Sequence, residues 1–283
     1  MPLARRPLAR RPLGERAGAR EALFAALALL ALLEVGKHVV AVVGFSQIFF
    51  TLVAGFQIYV PLWLVQRRGE APEAYGIHAH GAILGPVAAL RRRLVLAVRR
   101  RRVPRGKPGG FRRAVLEQLA TYGRGAHFRP RPFAKDIGLA LLIGAVTFPP
   151  FAIGHHYWQQ YFGAGGYRFT VPPDIVSTLW KNTFLIALPE EMFYRGFLEH
   201  RLDKLWPTKH HVWIIPLSRT VFLASALFAL GHFLGEYNPA RLGPFFPAFV
   251  FSGLTRKSNC VAGAVLYHGM SNAFSALLFA GYH

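Results

Sequence analysis

Apolar runs long enough to cross a bilayer recur along this chain, and basic connections separate them. That alternation limits the folds open to it, because a lipid-exposed backbone must satisfy its own hydrogen bonds and does so as helices or as a closed barrel. The runs cover residues 22–43, 45–65, about 137–153, from about 175 to between 199 and 205, about 212–234, about 245–254 and 260–279. They are too long for barrel strands, so helices are expected. Lysine and arginine collect in the amino-terminal tail, in 66–135, around 201–209 and at 256–257. These are alternate connections, as an inward-facing amino terminus and seven spans require. The expected fold is an all-α, polytopic membrane helix bundle of about seven transmembrane helices (six to eight) with a basic cytoplasmic insertion. Composition agrees: 53% hydrophobic residues and a net charge of +21 are hard to combine in a soluble globule.

Five regions follow. Residues 1–21 hold a period-five repeat, Pro-Leu-Ala-Arg-Arg twice and then Pro-Leu-Gly-Glu-Arg, which cannot build a core and reads as a disordered basic cytoplasmic tail. Residues 22–65 read as two transmembrane helices, with Trp63 as an interfacial anchor. In the first, Glu34 stands at helix-neighbour spacing from Lys37 and His38, so local pairing is expected. The first run is flanked by charge and lacks a small-residue cleavage site, so it reads as a span and not as a signal peptide.

Residues 66–135 carry 17 of the 34 basic residues and read as a cytoplasmic loop on the membrane surface. Within it, 85–105 suits an amphipathic helix on anionic lipid headgroups. Nucleic-acid binding is not expected, since aromatic interleaving is sparse and no recognisable module is present. Residues 136–174 hold a third span and an aromatic outer loop, and 175–283 form the block in which the chemistry lies. The one cysteine, Cys260, excludes an intrachain disulfide.

Three short patterns sit in that last block. Glu190 and Glu191 are followed by Arg195; Phe228 is followed four residues later by His232; His268 is followed four residues later by Asn272. Each four-residue spacing puts its members on one helix face. Ionisable residues inside a membrane span are costly unless paired and read as functional. Glu191 and Arg195 make an acid-before-base pair, whereas Glu190 points about 100° away and has no evident partner. A glutamate can take a proton from water, a histidine can hold that water, and a histidine with an asparagine can donate to an oxyanion. A buried ion pair that only steadies the bundle is the plainer reading of the first pattern alone. Three such faces in one block favour a site. Zinc held by Glu190, His232 and His268 is a second reading, although no His-Glu-x-x-His motif occurs and no Gly-x-Ser-x-Gly elbow either.

In order and spacing the three patterns resemble the CAAX protease and bacteriocin-processing family of glutamic-type intramembrane proteases. Its members show Glu-Glu-x-x-x-Arg, Phe-x-x-x-His and His-x-x-x-Asn, and the likeness here covers roughly 175–280. The resemblance implies that Glu190 and His232 activate water, that His268 and Asn272 form the oxyanion hole, and that Glu191, Arg195 and Phe228 support them. It also implies an intramembrane endopeptidase without a cofactor, acting on membrane-anchored proteins near their carboxyl termini. The arginine-rich composition is compatible with the myxosortase subgroup, thought to act on sorting tails made of a transmembrane helix and a basic end. A bacterial inner membrane is the expected location.

A non-enzymatic membrane immunity or scaffold protein and a proton-coupled transporter are the rival classes. A proton relay has no use for Asn272 opposite His268, and no internal repeat is evident. Depth adds one condition. Glu190 and His232 can meet only if span four continues helically to about residue 205 and span five starts near 217.

Overall fold

The structure is a computed structural model that describes residues 14–43, 46–77 and 129–282. Among them are seven helices. Helix α1 (Glu15–Val43) and α2 (Ser46–Arg67) form an antiparallel pair, and α3 (Pro130–Tyr161) follows. Helix α4 is a continuous helical run built from Ile175–Lys181, Asn182–Ala187, Leu188–Glu191, Met192–Glu199 and His200–Asp203. Then come α5 (Arg219–Glu236), α6 (Phe245–Ser258) and α7 (Ala262–Phe279). Three helices are long and apolar enough to cross a membrane: Glu15–Val40, Ser46–Arg67 and Pro130–Tyr161. The protein is an all-α membrane bundle.

Several boundaries differ from expectation. Helix α1 begins at Glu15, inside the stretch read as a disordered tail, because Ala19 and Ala22 are buried and Glu21 pairs with Arg68 at 2.6 Å. The third helix runs on to Tyr161, so part of the aromatic outer loop is helical. The expected fifth span loses its first turns to a hairpin, β1 (His210–Val212) paired antiparallel with β2 (Ile215–Leu217). Residues 1–13 of the tail and the surface helix read at 85–105 lie outside the described residues. The local pair in α1 does form, His38 to Glu34 at 3.0 Å, and Glu34 also accepts from Tyr237 at the end of α5.

The depth condition is met. Helix α4 persists to Asp203 and α5 starts at Arg219, which puts Glu190 and His232 each about 13 residues, or ~20 Å, from the same end of the bundle. Helix α4 gets there by irregular turns. Pro189 has no N–H and its ring crowds the carbonyl one turn back. The segments on either side, Asn182–Ala187 and Met192–Glu199, are wound as wide π turns, a form frequent at functional sites.

Small residues let the helices approach. Ala25, Ala26, Ala140, Ala187, Ala224, Ala248 and Ala264 are all buried at helix contacts, as expected where lipid supplies no hydrophobic drive between helices. Leu27, Ile48, Phe50, Leu52 and Leu142 instead face outward. Trp63 is exposed near the end of α2 with the Arg67 guanidinium 5.3 Å from its ring, a suitable interfacial anchor.

After α2 the chain turns into the bundle. Tyr75 and Ile77 are almost wholly buried, and the Val261 N–H donates to Gly76 O at 3.0 Å. Gly76 has φ +69°, and a Cβ there would meet Asn259 O at 2.7 Å, so both the turn and the close approach need glycine. The basic insertion therefore leaves from a turn fastened against α4 and the α6–α7 connection.

Helix α7 lies against α4 at Gly269. A Cβ there would stand 2.2 Å from Thr183 Oγ1 and 2.9 Å from Thr183 Cα. The backbone contact leaves little room to yield. Gly269→Ala is expected to cost about 1–3 kcal/mol by overpacking, read as a lower melting temperature in lipid nanodiscs. Gly138→Ala, at a position with open space around it, serves as the neutral control.

Candidate active site

Four helices bring the site together: α4 carries Glu190, Glu191 and Arg195, α5 Phe228 and His232, α6 Phe251, and α7 His268 and Asn272. His268 is the meeting point. Its Nδ1 lies 2.8 Å from Glu191 Oε1, and its Nε2 lies 3.7 Å from Glu190 Oε2. The first contact is a hydrogen bond; the second is an ion contact beyond hydrogen-bond reach. His268 and Glu191 are essentially without solvent exposure, while the Glu190 side chain is 17% exposed.

Glu190 was expected to stand alone. It does not, because the imidazole of a helix nearly 80 residues later lies beside it. Glu191 also does more than pair with Arg195: its Oε1 stands 3.3 Å from Arg195 Nη1 while receiving His268. Glu190 Oε2 and Glu191 Oε2 are buried and accept no hydrogen bond among the described residues.

Aromatic rings fix the imidazole and the guanidinium. Phe251 stacks on His268 at 4.5 Å with an interplanar angle of 14°, and Phe228 meets His268 edge-on at 5.8 Å. The Arg195 guanidinium lies 4.3 Å from the Phe228 ring and 5.0 Å from Phe251. A desolvated cation against ring faces gains about 2 kcal/mol, which partly offsets its loss of water. Phe228 thus has a definite place, between Arg195, Tyr194 and both histidines. Phe251 has an equal claim; it lies on the short sixth helix and belongs to none of the three motif patterns.

His232 is half-buried one turn beyond Phe228. Its Nδ1 is 3.0 Å from Phe228 O, so Nδ1–H donates to that carbonyl and Nε2 is left with its lone pair. Asn272 is half-buried one turn beyond His268 on α7. Neither makes a hydrogen bond or ion pair to the glutamates among the described residues. No group of three His, Cys, Asp or Glu side chains with the spacing to hold a metal ion occurs among the described residues.

A second buried polar group continues from Arg195 towards the basic end. Arg195 Nε is 3.9 Å from Glu199 Oε1, Ser252 donates to Glu199 Oε1 at 2.5 Å, and Arg256 Nη2 donates to Glu199 Oε2 at 3.1 Å. Arg256 also reaches Asp203. The motif patterns did not include Glu199, although its i+4 spacing from Arg195 was available.

Residues 172–274 match the family model described as type II CAAX prenyl endopeptidase Rce1-like. This stretch is an Rce1-like domain. It takes in all three motifs, with Glu190, His232, His268 and Asn272 inside it. Rce1-like proteins are intramembrane proteases, hydrolases of peptide bonds that act on membrane-anchored proteins in the bilayer. No curated protein and no solved structure matches the chain significantly.

The candidate site rests on buried ionic contacts, and breaking one side leaves a charge stranded. Glu191→Gln and Arg195→Ala are each expected to lower stability by about 3–5 kcal/mol. Denaturation of the purified protein in nanodiscs measures this, with Gly138→Ala again as reference.

Proposed function

We propose that the chain is a glutamic-type intramembrane endopeptidase, cutting membrane-anchored proteins near their carboxyl terminus, in which Glu190 takes the proton from the attacking water. One observation carries this reading. Of the two adjacent carboxylates, each with a buried Oε2 that accepts no hydrogen bond, Glu191 is committed through Oε1 to Arg195 and His268, while Glu190 has only the looser contact to His268 at 3.7 Å among the described residues.

The remaining roles follow from tautomers. His232 gives its Nδ1–H to Phe228 O and so offers Nε2 as an acceptor that can hold the water. His268 gives its Nδ1–H to Glu191. To donate from Nε2 as well, it must be the imidazolium, and Glu191 is the fixed negative charge that supports that form. Water then loses its proton to Glu190 as its oxygen bonds to the carbonyl carbon. The developing oxyanion receives hydrogen bonds from His268 Nε2–H and the Asn272 amide. The proton on Glu190 passes to the leaving nitrogen as the carbon–nitrogen bond breaks.

The basic connections support an amino terminus and an insertion on the cytoplasmic side, the insertion against anionic lipid, in a bacterial inner membrane crossed about seven times. The arginine-rich composition favours a role in processing sorting tails, as in the myxosortases. The mechanism uses no metal.

Three measurements test the reading. Glu190→Gln is expected to lose about 10²- to 10⁴-fold in turnover while keeping its melting behaviour. Near-normal cleavage of a membrane-anchored substrate by this variant sinks Glu190 as the base. Asn272→Ala is expected to lower kcat by about 10²- to 10³-fold with KM little changed. A raised KM at unchanged kcat makes Asn272 a substrate contact instead. Exhaustive dialysis against a strong chelator is expected to leave activity intact, with metal content far below one equivalent by elemental analysis. Stoichiometric zinc, with activity lost on chelation and restored by zinc, overturns the glutamic mechanism.

A further inference from the structure

We infer that Glu199 is a positioning residue of this site: it holds Arg195 from the side opposite Glu191, so that Glu191 remains available to orient His268. The inference rests on the peptidase reading above for what His268 does, and on geometry alone for how His268 is held.

Glu191 Oε1 faces two groups at once: His268 Nδ1, hydrogen-bonded at 2.8 Å, and Arg195 Nη1, an ion contact at 3.3 Å. They compete for it. Arg195 is 3% exposed, and all three of its guanidinium nitrogens lack a hydrogen bond among the described residues. A buried guanidinium so placed, with its charge permanent, pulls strongly on any carboxylate within reach. If Glu191 were its one counter-charge, the shared oxygen would be drawn from His268 towards Arg195.

Glu199 changes that balance. It sits at i+4 from Arg195, as Glu191 sits at i−4, and the cation is bracketed along α4. Glu199 is itself 2% exposed and anchored from α6 by the Ser252 hydroxyl at 2.5 Å and by Arg256 at 3.1 Å. These anchors hold the carboxylate 3.9 Å from Arg195 Nε, close enough to attract and too far for a hydrogen bond. Arg195 is thereby centred between Phe228 and Phe251. The His268 imidazole, stacked on that same Phe251 ring, keeps Nδ1 on Glu191 and Nε2 towards Glu190. Glu199 acts through Arg195 and Glu191 and touches no reacting atom.

The test uses the full chain in lipid nanodiscs, with steady-state cleavage of a membrane-anchored peptide and ¹⁵N spectra of ring-labelled histidine. The His268 signal is assigned as the one lost in His268→Gln. For Glu199→Gln the expected result is a fall in kcat of roughly ten- to hundredfold, as a small misplacement produces. KM is expected to stay within about twofold, and the His268 ring signals to shift while those of His232 do not. Glu199→Asp, which keeps the charge, is expected to recover most of the loss. Should Glu199→Gln fail to fold, Ser252→Ala removes one anchor and keeps the charge, and it is expected to show the same His268 shift in smaller degree. Unshifted His268 signals, a KM effect with kcat preserved, or equal losses in the Gln and Asp variants each overturn the inference. If the wild type cleaves no peptide, the peptidase reading falls while the His268 spectra still decide the positioning role.

Discussion

Arg195 carries a charge that cannot be removed by deprotonation, in a segment where water is almost absent. The bundle is arranged around its neutralisation. Two carboxylates bracket it along α4, two phenylalanine rings from α5 and α6 lie against it, and the carboxylates in turn hold His268 of α7 and Ser252 and Arg256 of α6. Without these partners the desolvation of the cation would cost several kcal/mol. With them, the cation fixes the positions of four helices. The candidate site is built on that framework: the residues that neutralise Arg195 are, or directly touch, the residues proposed for catalysis.

The order of charges along the bundle is informative. From Glu190 it runs through His268, Glu191, Arg195, Glu199 and Arg256 to Asp203, alternating carboxylate with basic group. Each group is thus flanked by groups of opposite character, and like charges are kept one place apart. Glu190 and Asp203 stand at the two ends, each with a row neighbour on one side. Asp203 also accepts from the Thr208 hydroxyl at 2.9 Å, whereas the buried Glu190 Oε2 accepts no hydrogen bond among the described residues.

Much of this was legible from spacing. Glu191 with Arg195, Phe228 with His232, and His268 with Asn272 are four residues apart on helices, and the apolar runs with their alternating basic connections predict those helices. What spacing could not supply was partnership between elements. Glu191 meets His268 across 77 positions, and Glu199 meets Ser252 across 53. Helical periodicity carries no information about such pairs; they depend on which faces the bundle turns inward. The start of α5 was misplaced for a related reason. Val212, Ile214 and Ile215 are apolar and extend the run, but the hairpin takes them, and β-branched residues suit strands as well as spans. The early start of α1 has no signal in local composition, because Glu21 pairs with Arg68 of a region distant in sequence.

Adjacent glutamates on one helix look like an unsuitable pair for a shared site, since their Cβ directions differ by about 100°. The geometry of imidazole resolves this. Its two nitrogens lie on different edges of one flat ring, so a ring inserted between two diverging carboxylates can face both. Here the ring comes from α7 and is held flat by Phe251. Its two contacts are unequal, 2.8 Å to Glu191 and 3.7 Å to Glu190. The inequality divides the labour. The close contact orients the ring at the expense of Glu191's freedom, and the looser one leaves Glu190 beside the imidazole without being tied to it. A symmetric arrangement would bind both carboxylates equally and leave neither able to accept a proton from water. The divergence of neighbouring side chains on a helix is therefore what allows two identical residues, one position apart, to fill the separate parts proposed for them, a support and a base.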